Sequence, residues 1–281
     1  MRRLPLFVLA IGALLCVAGQ GAPRAEVIAG VNDVPPVSEA PMGQQAVRRG
    51  VQGPKGLFTA RLLLLMNASK GAFGKPTSFA PDLYYSPTDT IQLGLVHTDP
   101  MGWQTLPGAG LCLTGKSNGC PHVYDNVGFD FMYGLLFGDV HLSLHSSLYL
   151  MQISDPLWPM WTIGLSGKLH FGENVALFFD PQVGITLANR ADHEDYLFLP
   201  VELQFQASRV ISLKLLTGLT GPLSGFADSY RIPVGVGLIG NLNRNVDLGV
   251  RFSFDNLLGK VPDSASRGDQ RSLALLLTIR S

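Results

Sequence analysis

Charge is scarce in this chain: only 15% of its 281 residues are Asp, Glu, Lys or Arg, and the formal net charge is zero. A nucleic-acid binder normally shows a basic patch or a high pI, so the balance argues against that partner, and the pair Arg48-Arg49 is too short to change it. Long apolar runs are also missing. Beyond residue 20 the longest, such as Leu62 to Met66 and Leu273 to Leu277, are about five residues, against the eighteen or so that a spanning helix needs. Yet the mean hydropathy is positive and there are 32 glycines. An apolar chain without spanning helices has one other route through a bilayer, a closed barrel in which every backbone group is paired between strands.

Cysteine is nearly absent, with three in all. Cys16 falls in a segment that reads as a secretory signal peptide, residues 1–21: Arg2 and Arg3, then the apolar Leu4 to Val17, then small residues at Ala18, Gly19 and Gly21. Cleavage there leaves Cys112 and Cys120 as a pair bound for an oxidising compartment, where disulfides persist. Their spacing does not suit a CxxC redox or metal site, so a structural bridge is expected. Residues 22–55 carry Pro23, Pro35, Pro36, Pro41 and Pro54 and read as a periplasmic linker or as a plug folded back into the barrel.

From residue 56 the pattern has a period of two. Val140, Leu142, Leu144, Leu148 and Leu150 alternate with His141, Ser143, His145 and Ser147. Val246, Leu248, Val250, Phe252 and Phe254 alternate with Asp247, Gly249, Arg251, Ser253 and Asp255. Successive strand side chains point to opposite faces, so each segment has one apolar and one polar wall. A soluble sandwich turns the apolar wall inward, whereas a membrane barrel turns it to lipid. The segments run to about ten residues, longer than the usual five or six of soluble strands and long enough to span a bilayer at a tilt.

Strands are expected near 57–66, 78–85, 90–97, 124–136, 140–150, 160–171, 175–187, 196–207, 210–220, 229–241, 245–254 and 270–280. The links between these twelve alternate between long and short. Short periplasmic turns alternating with longer extracellular loops mark an antiparallel, up-and-down transmembrane β-barrel, and an even strand number puts both ends on the periplasmic side. The class is therefore all-β, with 56–281 as the barrel.

The stretches Ser78-Phe-Ala-Pro-Asp-Leu-Tyr-Tyr, Thr90-Ile-Gln-Leu-Gly-Leu-Val-His and Phe252-Ser-Phe-Asp-Asn-Leu-Leu-Gly-Lys resemble uncharacterised, porin-like Gram-negative outer-membrane β-barrel proteins. The resemblance covers 56–281 and implies the fold and an outer-membrane location, not a substrate. It departs at the end, Ile279-Arg280-Ser281, where such barrels usually carry an aromatic residue read by the assembly machinery.

The expected lumen wall carries Asp130, His141, His145, Lys168, His170, Asp180, Gln182, Glu202, Gln204, Gln206, Lys214, Arg231, Asp247, Arg251 and Asp255. Charges of both signs there line water or pair across strands. His141 and His170 could meet across a hairpin, but the neighbouring Lys168 and the missing carboxylate count against a metal site. Neither a GxSxG elbow nor a phosphate-binding glycine loop is present, and the outward Ser146 has no outward histidine beside it, so no catalytic group, metal or cofactor is expected. The expected function is a passive channel for small polar solutes, its other contact being outer-membrane lipid. The alternatives are a filled, structural barrel whose loops, notably 98–123, meet outside partners, and, more remotely, a lipid hydrolase.

Overall fold

A computed structural model describes residues 45–260 and 269–281, all within one compact unit, Glu39–Ser281. The expected signal segment, most of the proline-rich segment and part of the last long link lie outside the described residues.

The described chain forms fourteen strands: β1 (Phe58–Asn67), β2 (Thr77–Tyr85), β3 (Ile91–Val96), β4 (Leu111–Cys112), β5 (Val127–Leu136), β6 (Val140–Gln152), β7 (Trp158–Phe171), β8 (Val175–Phe179), β9 (Gln182–Thr186), β10 (Tyr196–Gln206), β11 (Ile211–Pro222), β12 (Val234–Asn241), β13 (Val246–Phe254) and β14 (Arg271–Arg280). Apart from β4 and the broken pair β8 and β9, neighbours in sequence pair antiparallel, and β1 pairs with both β2 and β14, so the sheet closes on itself. Closure removes the exposed edges that an open sheet would present.

The barrel has twelve staves. Thirteen of the fourteen strands form them, because β8 and β9 share one stave between β7 and β10; β4 is a two-residue piece that pairs with the start of β2 and bridges Tyr124. The expected strand 175–187 is thus one stave broken at Asp180-Pro181. Proline has no N–H to give the ladder. The chain steps inward there, and the Pro181 carbonyl accepts the Leu165 N–H at 3.1 Å. Gly164 makes the approach possible, because a Cβ at that position would lie 1.9 Å from the same oxygen.

The start of β1, the end of β14 and the short turns after β2, β5, β7, β10 and β12 lie at one end of the barrel, here the turn end; the long links gather at the loop end. Two expected boundaries move by three residues or more. The strand expected at 229–241 begins at Val234, and the one expected at 124–136 begins at Val127. In both cases the missing residues belong to loop-end segments tied by single bridges, Thr220 to Arg231 and Leu111 to Tyr124.

The burial pattern is inverted relative to a soluble protein. Leu148, Trp161, Leu165, Phe171, Leu213, Leu215, Leu238 and Leu248 stand exposed on the outside, while Ser143, His145, Lys168, Gln204 and Arg251 are buried inside. An apolar outer band around a polar interior is what a lipid surround requires of a barrel. Among the described residues no helix is long and apolar enough to cross a membrane, which says nothing of strands.

Candidate functional site: the barrel interior

Two inserted segments fill the ends of the interior and leave a cavity between them. The turn end is occupied by the segment Gln45–Gly53, which begins with a single 3-10 turn (Ala46–Arg48). It is held by side chains from the barrel wall. Lys168 Nζ donates to the carbonyls of Ala46 (2.8 Å) and Arg49 (2.9 Å), and His170 Nε2 meets the Val47 carbonyl at 2.8 Å. Gln92 Oε1 accepts from the Gly53 N–H at 3.1 Å. The Arg49 guanidinium grips Asp247 with both terminal nitrogens, one of them at 3.1 Å, and Arg280 reaches the same carboxylate at 2.6 Å. A free peptide segment loses backbone entropy when ordered, on the order of 1–2 kcal/mol per residue, and these contacts offset that cost.

The loop end is filled by part of the long link between β3 and β5. Part of the long link 98–123 turns inward, with Met101, Trp103 and Thr105 buried, while Leu111, Leu113 and Val123 stay exposed. Asp82, fully buried on the inner face of β2, fixes the start of this link. Its carboxylate accepts from the His97 N–H (2.7 Å), the Thr98 N–H (3.1 Å) and the Thr98 hydroxyl (2.8 Å), and pairs with Arg61 on β1 at 2.6 Å. Met101 packs with Val96, Tyr149, Met160 and Phe198, an apolar cluster inside the barrel. The outer part of the link keeps a staple, since Cys112 and Cys120 are disulfide-bonded.

Between these segments lies a cavity of about 360 Å³. Its wall includes Asp130, His145, Lys168, Asp180, Gln182, Glu202, Gln204, Lys214, Asp247 and Arg251, ten of the fifteen residues expected from the alternation. The other five sit elsewhere. His170 and Gln206 serve the turn-end segment, as does His141, whose ring would touch a Cβ placed on Gly50. Arg231 lies in the segment before β12, bridged to Thr220, and Asp255 lies one residue past β13, where it accepts from the Ser272 hydroxyl at 2.9 Å. His141 and His170 do meet, with ring centroids 5.3 Å apart and Lys168 nearby.

The sequence pattern passed over several wall residues. Arg61 and Tyr84 line the cavity, as do Asp99, Met101 and Trp103 of the inserted link and Arg49 of the turn-end segment. Arg61 was hidden because the same inner face of β1 continues with Leu63 and Leu65, which pack on Ala80 and Ala274 inside the barrel. That breaks the polar–apolar alternation on which strand reading rests.

Most wall charges are paired. Lys214 Nζ is 2.7 Å from Glu202, Arg61 pairs with Asp82, and Arg49 and Arg280 share Asp247. His145 lies between two carboxylates: Nδ1 is 2.9 Å from Asp180 and Nε2 is 2.6 Å from Asp130. Both ring nitrogens are thus within hydrogen-bond distance of a carboxylate oxygen, and the Gln182 amide nitrogen lies 3.1 Å from Nδ1. Ser147 is close to His145, but its hydroxyl donates to Asp130 at 2.6 Å. The cluster ties β5, β6 and the stave of β8 and β9 together through side chains on the inner wall.

No family model matches the chain, and no curated protein matches it. Solved structures do resemble it in fold. The NanC porin superposes with a TM-score of 0.53 at 6% identity, over 78% of this chain and 98% of that one. An outer-membrane channel from Pseudomonas putida F1 gives 0.53 at 13%, over 82% and 97%. The KdgM porin, solved in complex with disordered oligogalacturonate, gives 0.51 at 10%, over 79% and 98%. The shared feature is the fold, an outer-membrane β-barrel.

Proposed function

We propose that this protein is a bacterial outer-membrane β-barrel that passes small polar solutes by passive diffusion, with Gln45–Gly53 acting as a stopper at the periplasmic end. The observation that carries the reading is the polar cavity of about 360 Å³ inside an apolar-sided barrel, bounded by two segments that are not part of the wall. Lipid is the outer partner, and small solutes are the inner one. The fold it shares with outer-membrane channels adds support, and the reading includes no catalytic residue and no cofactor. The lumen wall assigned to the channel is the set of ten cavity residues together with Arg61, Tyr84 and the inserted link.

The test is single-channel recording of the purified protein in planar bilayers, beside a form lacking residues 45–53. The intact protein should show brief, small openings, and the deleted form a larger and steadier conductance. If neither conducts while both keep the heat-dependent gel mobility of a folded barrel, the channel reading fails. The dense pairing of interior charges would then favour the second reading, a filled structural barrel.

A further inference from the structure

At the loop end, charge is spread unevenly around the rim. The link between β1 and β2 packs with the outer part of the link between β3 and β5 into one lobe. The Leu113 N–H donates to the Thr77 carbonyl at 2.8 Å, and the Thr77 N–H donates to the Thr114 hydroxyl at 3.1 Å. Gly119 sits so close to Pro76 that a Cβ there would lie 2.9 Å from the proline ring and 3.5 Å from the carbonyl carbon of Lys75. The Cys112–Cys120 bridge closes the turn that carries Lys116, so Lys75 and Lys116 stand in adjoining turns. Lys70 lies on the same link as Lys75. All three lysines are exposed, and none forms an ion pair among the described residues. Neither 67–81 nor 106–124 contains an Asp or Glu. The neighbouring acids are engaged or offset. Asp82 is buried on Arg61, and Asp125 accepts from the Ser154 hydroxyl at 3.0 Å. Where β14 starts beside Ser69, Asp269 and Arg271 cancel in charge. Six staves away the rim is acidic: the link between β9 and β10 carries Asp192, Glu194 and Asp195 against Arg190, which pairs with Asp195 at 2.6 Å.

The same lobe continues the apolar outer wall. Residues directly opposite in an antiparallel ladder share a face. Cys112 pairs with Ser78, both buried inside, so Leu111 and its partner Phe79 lie on the outer face. Further along β2 that face carries Leu83, which pairs with Leu95, and both are exposed. Leu113 is 53% exposed, and Tyr124, bridged to Leu111, is exposed beside it. Lysine stems lie along apolar surface while the ammonium reaches for charge at the headgroup level. An apolar wall capped by lysines without carboxylate partners is complementary to a molecule with apolar chains and an anionic head. We propose that this lobe docks a phosphate-bearing lipid of the leaflet at the loop end. Its chains lie against Leu111 and Leu113, and its phosphate sits among Lys70, Lys75 and Lys116. This inference rests on the lipid-facing barrel of the reading above and not on conduction.

The test is native mass spectrometry of the whole folded protein in detergent, titrated with phosphatidic acid and with phosphatidylcholine of the same chains. A lysine near an anionic lipid surface contributes roughly fivefold in affinity. Phosphatidic acid should therefore bind saturably and at least about tenfold more tightly than phosphatidylcholine. Replacing Lys70, Lys75 and Lys116 together by glutamine should bring that ratio to about twofold or less, with the heat-dependent mobility shift intact. The pair Arg190→Gln and Lys260→Gln, elsewhere on the rim, should leave it unchanged. Equal binding of the two lipids by the parent would overturn the inference, as would a triple variant that keeps its preference. An equal loss in the control pair would mean diffuse attraction and overturn it too. So would displacement of the lipid by millimolar inorganic phosphate, which would make the lobe a site for soluble anions. If the triple variant does not fold, the single variants decide, each expected to lose roughly fivefold. Conductance recorded on the same preparation separates the two readings: lipid preference without conduction keeps the site and removes the channel, and conduction without preference does the reverse.

Discussion

Asp99 shows how much a single residue's surroundings matter. It belongs to the inserted link, and burial pushes its carboxyl pKa up to about 6, against the opposing pull of the Met101 N–H, the Thr105 hydroxyl and Arg251, with Asp82 adding to the rise. A carboxyl whose folded pKa lies above its unfolded value near 3.8 favours the seated link while it holds its proton. That contribution is complete below about pH 4 and is lost as the pH rises through about 6. Amide protection across residues 99–105, taken as the intrinsic exchange rate at each pH divided by the observed rate, should therefore be greater at pH 5 than at pH 7.5. In Asp99→Asn the side-chain oxygen still accepts from Met101 and nothing titrates, so this pH dependence should flatten. Unchanged dependence in the variant would assign the effect to another group. Alternation in the sequence assigns inner-wall residues where it is clean, as on β6 and β13. It is silent on Asp99 and Asp82, because nothing local marks a carboxylate in a loop as folded inward, or one beside Pro81 as an anchor.

At the scale of elements, the two inserted segments are held by different means and should respond differently. The turn-end segment is held by polar contacts, the strongest being Arg49 on Asp247. Arg49→Ala removes charge-assisted bonds worth roughly 1.5–3 kcal/mol and leaves Asp247 paired with Arg280. The barrel should keep its heat stability while open time in planar bilayers rises several-fold. The link between β3 and β5 is held by apolar packing, the Asp82 contacts and the Cys112–Cys120 bridge. A bridge closing so short a loop contributes about 2–3 kcal/mol by the chain-entropy model. Replacing both cysteines by serine should speed tryptic cutting at the exposed Lys116 by up to about a hundredfold if cutting follows local opening. The barrel's mobility shift should not change, since only the link is cross-linked. The bridge was legible in the sequence from the cysteine count, and so were the strands and the alternation of link lengths. The inward course of the link was not, because an apolar Met101-Gly-Trp103 stretch reads equally well as an exposed loop tip.

For the whole molecule the question is which solvent meets the outer face. Leu238 sits in mid-β12 between Leu213 and Val250 and is 45% exposed on the outside of the barrel. In water, arginine at such a site costs little, typically within about 0.5 kcal/mol. In the hydrocarbon core it costs about 2–4 kcal/mol, falling toward the interfaces. Leu238→Arg therefore tests the inverted burial pattern as a physical statement about the surround. Unfolding by guanidinium from lipid vesicles should show Leu238→Arg destabilised by a few kcal/mol, while Arg209→Ala, on the exposed turn between β10 and β11, stays within about 0.5 kcal/mol of the parent. The same pair measured in detergent micelles, where water reaches the belt more easily, should show a smaller gap. Equal stability of the two variants in vesicles would mean that Leu238 faces water. The apolar outer wall would then need a protein partner instead of lipid, and the polar interior would lose its reading as a path across a membrane.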